Sequence, residues 1–145
     1  MDDRTLDRLE ESLRRCNADR LFLDRFYDRF LRSSPKVRRK FAGTDFVRQK
    51  RMLQASLQLM LVAAQGDGKS AAPYLDQVAA RHGADQMAIG AELYDLWLDA
   101  LLATVRETDP EWSSDVERAW EDVMAVGIRY LLARYNHPRA EGQEA

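Results

Sequence analysis

Apolar residues recur at spacings of three and four along nearly the whole chain, and no stretch alternates apolar and polar residues as a β-strand does. The pattern therefore predicts an all-α protein. Seven helices are expected, over about residues 5–16, 19–33, 35–41, 44–65, 70–82, 91–107 and 114–136.

Capping residues and helix breakers set these boundaries. Thr5 and Thr44 are placed to cap the first and fourth helices, and Pro35 suits the first position of the third. Ser114 and Glu117 have the spacing of a capping box at the start of the last helix. The glycines of the 65–68 segment end the long fourth helix.

Four helices carry an apolar stripe that should face one core. The inward positions are Leu23, Phe26, Tyr27, Phe30 and Leu31; Phe46, Gln49, Leu53, Leu57, Met60 and Leu61; Leu93, Leu96, Trp97, Ala100, Leu101 and Thr104; and Ala119, Trp120, Val123, Val126, Gly127, Tyr130 and Leu131.

Composition limits the class of protein. A chain of 145 residues that is 46% hydrophobic suits one domain, predicted over residues 1–137 with a polar tail at 138–145. The net charge of −2 gives no support for nucleic acid or an anionic membrane as a partner. A single cysteine, Cys16, and the lack of a signal peptide or long apolar segment lead us to expect a soluble cytoplasmic protein.

No familiar catalytic motif is present. The segment from Gly66 to Ser70 has a superficial likeness to a phosphate-binding loop, but no strand precedes it and the glycine spacing is wrong. It is better interpreted as a connection between helices.

His82 is the most informative candidate for chemistry. It lies on a predicted helix just before Gly83, where an imidazole can ligate a haem iron. A single histidine on an apolar helix face is more often a core or boundary residue. The only other histidine is His137, near the end of the last helix.

Other residues favour the haem interpretation because of the order in which they occur along the chain. These are Phe26-Tyr27 with Phe30, the segment from Ser34-Pro35 to Phe41, Gln49 with Leu53, His82, Ile89 to Tyr94, and Ala119-Trp120. In this order they resemble the bacterial single-domain haemoglobins and the globin domains of flavohaemoglobins and globin sensors. The resemblance covers almost the whole chain.

The resemblance implies a globin fold, a three-over-three helical sandwich with a short or absent D helix, and a haem b cofactor. His82 would be the proximal iron ligand and Phe41 would stack on the haem. Val78 and Leu53 would line the pocket, and Tyr94 would lie on the proximal side. Each apolar residue could equally be ordinary core.

Tyr27 and Gln49 would form the distal side, where a hydroxyl and an amide can donate hydrogen bonds to a diatomic ligand. Tyr27 could instead be a core aromatic residue, and Gln49 an exposed helix residue. The connection between Phe41 and Gln49 is shorter than in many relatives, so Lys50 or Met52 would be the distal residue in another register.

Basic residues cluster at Lys36, Arg38, Arg39, Lys40, Arg48, Lys50 and Arg51. They could be a solvated face or a docking patch for an electron donor. In a globin this edge lies near the haem propionates, which Arg48 or Arg51 could bind.

The function favoured is reversible binding of dioxygen or another diatomic gas for storage, transport or sensing. The alternative is nitric oxide dioxygenase activity with a separate reductase, and a third is a haem-free globin for protein interaction. No carboxylate lies near Arg134-Tyr135, where flavohaemoglobins place a glutamate, so only weak peroxidase activity is expected. A monomer and a homodimer are both compatible with the sequence.

Overall fold

The computed structural model describes residues 2–65 and 91–136, with side chains up to residue 129, and every regular element in these ranges is an α-helix. The helices are α1 (Asp3–Asn17), α2 (Phe22–Arg32), α3 (Pro35–Lys40), α4 (Phe46–Gln65), α5 (Ala91–Thr108) and α6 (Ser114–Asn136). The helix predicted over 70–82 and the polar tail lie outside the described residues.

The predicted N-caps of α1 and α4 are wrong. Asp2, not Thr5, caps α1, because its carboxylate accepts a hydrogen bond from the Thr5 amide at 2.8 Å. Asp45, not Thr44, does the same for α4, accepting from the amides of residues 47 and 48 at 3.1 and 3.3 Å. Both positions hold a carboxylate, which also interacts favourably with the positive end of the helix dipole.

Two further boundaries differ from the prediction. Ser113 rather than Ser114 caps α6, since its hydroxyl accepts from the amide of Val116 at 3.2 Å. The predicted capping box of Ser114 and Glu117 is therefore wrong, because the residue three positions after Ser113 is a valine. α2 begins at Phe22 rather than near residue 19. Asp19 instead holds the preceding turn by accepting from the Leu21 amide at 2.9 Å.

The helices pack in two layers. α1 and α4 contact each other and lie against α6, while α2 and α6 both pack on α5. The apolar stripes meet in one core around the fully buried Trp120, Phe22 and Phe26. Within the described ranges no helix lies between α3 and α4, as expected for a missing D helix.

A small residue allows α4 and α6 to approach closely. A Cβ atom added at Gly127 would lie 2.8 Å from Cε of Met60, which is closer than ordinary van der Waals contact. Gly127 therefore matters for its lack of a side chain, and α4 is held directly over α6.

A buried polar cluster joins α1 to the corner between α5 and α6. The Asp109 side chain is fully buried, and Arg15 donates to both its oxygens, at 2.6 and 3.0 Å. Ser12 donates to the same carboxylate at 2.6 Å and accepts from Nε1 of Trp120 at 2.9 Å. The Glu111 amide donates to it at 2.8 Å. Burial raises the pKa of Asp109, but these hydrogen bonds outweigh it and the pKa is lowered overall.

We expect Asp109→Asn to lower the free energy of unfolding by about 2–4 kcal/mol, because the amide cannot accept all of these bonds and leaves Arg15 without its counter-charge. Urea denaturation followed by circular dichroism measures the change. Because the native carboxylate has a lowered pKa, its contribution is present above about pH 4 and is lost as the pH falls further.

The matched control is Glu107→Gln, which removes the carboxylate that Arg29 binds at the surface, at 2.8 Å. Both partners of that pair are partly exposed, so the loss should stay below about 1 kcal/mol. Equal losses in the two variants would contradict a dominant role for the buried cluster, as would a difference that does not diminish as the pH falls below about 4.

Candidate functional site

Three aromatic rings meet where α2, the 41–45 connection and α4 come together. The ring centroid of Tyr27 lies 6.3 Å from that of Phe41 and 5.3 Å from that of Phe46. The centroids of Phe41 and Phe46 are 6.2 Å apart. Tyr27 meets both phenylalanine rings edge to face, and such contacts stabilise a cluster beyond simple burial. The result is an apolar wall that contains one phenol hydroxyl.

The aromatic wall continues into the core. Phe30 lies 5.7 Å from Phe41 and 5.5 Å from Phe26, measured between ring centroids. Phe26 in turn contacts Trp97 of α5 at 6.1 Å. The position of Phe41 is therefore fixed by α2, and through α2 by α5.

Tyr27 and Gln49, the two residues predicted for the distal side, are in contact. Burial raises the pKa of Tyr27 to about 12, and a hydrogen bond with the Gln49 side chain acts in the opposite direction. The phenol is therefore neutral at physiological pH and retains its proton. A neutral hydroxyl next to an amide can donate a hydrogen bond to a small polar ligand.

The register of α4 agrees with Gln49 facing Tyr27. Leu53, one turn later, is buried with 7% of its surface exposed. Lys50, one of the alternatives, binds Asp24 of α2 through its ammonium group. Met52, the other alternative, is half-buried on α4. Gln49 is thus the α4 side chain that the structure brings to the Tyr27 hydroxyl.

Tyr94 lies in α5 and is buried, next to the buried Leu93. Burial raises its pKa well above the usual value, so it too is a neutral phenol. Trp97, one turn further along α5, contacts the aromatic wall through Phe26.

Arg48 and Arg51 are exposed on α4, and no ion pair joins either to another described residue. His82, Val78 and His137 lie outside the described residues. The structure thus brings together the predicted distal half of the site and leaves the proximal half as a prediction.

Sequence reasoning missed the site role of Phe46 and of Trp97. Both were placed on inward stripes, but the close approach of Phe46 to Tyr27 depends on how the 41–45 connection turns. Gly43 in that connection has a φ of 77°, a left-handed conformation that favours glycine. A glycine between two aromatic residues was the available signal.

Within the described part of the chain, no helix combines the length and apolar character needed to cross a membrane. Among the same residues, no group of three or more histidine, cysteine, aspartate or glutamate side chains could hold a metal ion.

Comparison with known proteins identifies the family to which the sequence is similar. The family model described as Globin matches residues 24–130. The fold is similar to protein PA3967 of Pseudomonas aeruginosa PAO1, whose crystal structure is described as structurally highly homologous to a human hemoglobin. That match has 41% sequence identity and a TM-score of 0.85, and covers 90% of this chain and 98% of the other. No functionally curated protein matches the sequence.

The buried phenol predicts how stability responds to alkaline pH. Because the folded pKa of Tyr27 is about 12 against an ordinary value of 10.0, its stabilising contribution is present below pH 10 and is lost between pH 10 and 12. We expect the free energy of unfolding of the native chain to fall more steeply over this range than that of Tyr27→Phe. The difference should approach about 1.4 kcal/mol per pH unit. Parallel slopes would show that Tyr27 is accessible to solvent.

Proposed function

Because the chain belongs to the globin family, we propose that it binds a haem and reversibly binds dioxygen or another diatomic gas. The observation that carries the proposal is the hydrogen-bonded pair of Tyr27 and Gln49 at the aromatic wall. Storage, transport and sensing all use this chemistry.

The described residues suit one side of a haem pocket. A haem needs apolar walls and few polar groups, and Phe41, Phe46 and Leu53 provide the apolar surface. When bound, haem b supplies an iron that takes a diatomic gas as a ligand. Tyr27 and Gln49 bring polar atoms to this surface, and burial keeps the Tyr27 phenol neutral.

Tyr27 would stabilise the bound gas. Its hydroxyl donates a hydrogen bond to a ligand that carries partial negative charge, and such bonds are stronger in a dry pocket than in water. Gln49 contacts the same hydroxyl. Its amide can orient the phenol and provide a second donor.

The proximal side is proposed from the resemblance. His82 would ligate the iron, Val78 would exclude water from it, and Tyr94 would interact with the second ring nitrogen of His82. The buried and neutral Tyr94 phenol is compatible with that role. Arg48 and Arg51, exposed and without ion-pair partners among the described residues, are available to bind the propionates.

His82→Ala is expected to lose most of the haem or its normal ferrous carbonyl spectrum, because the iron loses its proposed protein ligand. His137→Ala removes the only other histidine of the chain and should leave both intact. The Soret band of the purified proteins and haem content by pyridine haemochrome measure the outcome. An unchanged spectrum in His82→Ala would refute this assignment.

Tyr27→Phe is expected to raise the dissociation rate of dioxygen about tenfold or more, because one lost hydrogen bond corresponds to roughly 1.4 kcal/mol. Gln49→Ala should have a smaller effect. Stopped-flow displacement of dioxygen by carbon monoxide measures both rates.

Lys50→Gln is the matched control on the same helix. Lys50 binds Asp24 rather than Tyr27, so the dissociation rate should be unchanged. A larger effect from Lys50→Gln than from Gln49→Ala would show that the distal residue has been misassigned.

A further inference from the structure

Positive charge is concentrated in one short part of the chain. Seven of the 22 lysine and arginine residues lie between residues 36 and 51, but only one of the 24 aspartate and glutamate residues does. The net charge of the whole chain is nevertheless −2. The remainder of the protein is therefore strongly acidic, and α3 and the start of α4 form a basic region on it.

Three of these seven cations have intramolecular partners. Lys36 binds Glu92 of α5 at 2.9 Å, and Lys50 binds Asp24 of α2. Arg38 donates to a backbone carbonyl of α2 at 3.1 Å. These bonds hold α3 and α4 against their neighbours.

The other four cations, Arg39, Lys40, Arg48 and Arg51, are all exposed, and none of them pairs with a described carboxylate. The single acidic residue of the region, Asp45, is used to cap α4. Within residues 2–65 and 91–129, these four cations thus have no carboxylate partner, and two of them, Arg39 and Lys40, have no other proposed role.

An exposed apolar residue, Val47, lies beside two of these cations on α4. Val47 is 68% exposed, and Arg51 lies one turn later on the same face of α4. Contact between the rings of Phe41 and Phe46 brings the end of α3, with Arg39 and Lys40, to the start of α4. We define the basic face as Arg39, Lys40, Val47, Arg48 and Arg51.

We propose that the basic face docks the acidic surface of a different protein. Exposed charges of one sign attract such a partner and orient it. An apolar residue among them can be buried at the centre of the interface. Arg48 and Arg51 are also the residues proposed above to bind the haem propionates, so the cations of the basic face with no other proposed role are Arg39 and Lys40. A test on Arg39 and Lys40 therefore succeeds or fails independently of the proposed function.

Other polyanions fit the surface less well. Nucleic-acid-binding domains are usually basic overall, whereas this chain has a pI of about 5.7 and would repel an extended polyanion outside the basic face. On α6 of a second copy, the acidic residues are interspersed with cations. Arg8 of α1 lies 3.9 Å from Asp115, and Arg118 and Arg129 follow along the helix. Self-association through the basic face is distinguished by sedimentation velocity.

The test uses the full chain and a defined probe, a peptide of about twelve residues in which glutamates flank a central leucine, carrying an uncharged dye. Fluorescence anisotropy should show binding at about 20 mM salt that weakens about tenfold by 200 mM, as expected for exposed charges. The same peptide with glutamine in place of glutamate should not bind.

Arg39→Glu with Lys40→Glu should weaken binding of the glutamate peptide about tenfold or more, since both charges are reversed at the contact. The matched control, Arg4→Glu with Arg118→Glu, changes the net charge equally at exposed positions on α1 and α6, and should weaken binding less than about threefold. Circular dichroism and urea denaturation establish that both variants are folded.

Equal weakening in the two double variants would overturn the proposal, because only net charge would then matter. Tighter binding of an oligothymidylate of the same length, or of phosphatidylserine vesicles, would overturn it in favour of another polyanion. Self-association in sedimentation velocity that Arg39→Glu with Lys40→Glu abolishes would assign the basic face to a second copy of the chain.

Discussion

The buried carboxylate of Asp109 fixes the positions of α1, α5 and α6 relative to one another. It accepts from Arg15 and Ser12 of α1 and from a backbone amide of its own turn, and Ser12 links it to Trp120 in α6. A charge in an apolar core is stable only when its hydrogen-bonding capacity is filled, so these helices have little freedom to shift. This cluster holds the end of α5, and α2 packs on α5. Tyr27 belongs to α2, so its position depends on the cluster.

The candidate site also depends on a buried acidic group that has a hydrogen-bond partner. That group is the phenol of Tyr27, a much weaker acid than the Asp109 carboxylate. Tyr27 is surrounded by Phe41 and Phe46, and the Gln49 side chain hydrogen-bonds it. Burial keeps the phenol protonated, which preserves its ability to donate. The aromatic rings limit access of water, which would strengthen a hydrogen bond from the hydroxyl to the gas ligand proposed for this site. Stability and the proposed chemistry thus use the same contacts.

The surface shows how the fold divides similar residues between different tasks. Lys36 and Lys50 join helices through ion pairs, whereas Arg39 and Arg48, from the same basic stretch, have no carboxylate partner in the described part of the protein. The sequence shows one basic cluster. Which cations are left for a partner depends on where Glu92 and Asp24 lie, and that is set by the packing of α2 and α5.

Hydrophobic periodicity in the sequence determined the helical class and the approximate extent of the described helices, since apolar residues repeating about every 3.6 positions indicate amphipathic helices. The globin fold was predicted from the resemblance of ordered residues to a known family. The periodicity also placed Tyr27 and Gln49 on inward stripes. The exact caps escaped it, because Asp2 and Thr5 are both good capping residues and only the backbone geometry selects between them. The Asp109 cluster joins residues that are distant in sequence. The contact between Phe46 and Tyr27 depends on how the 41–45 connection turns. Such contacts have no local signature, so only the tertiary structure decided them.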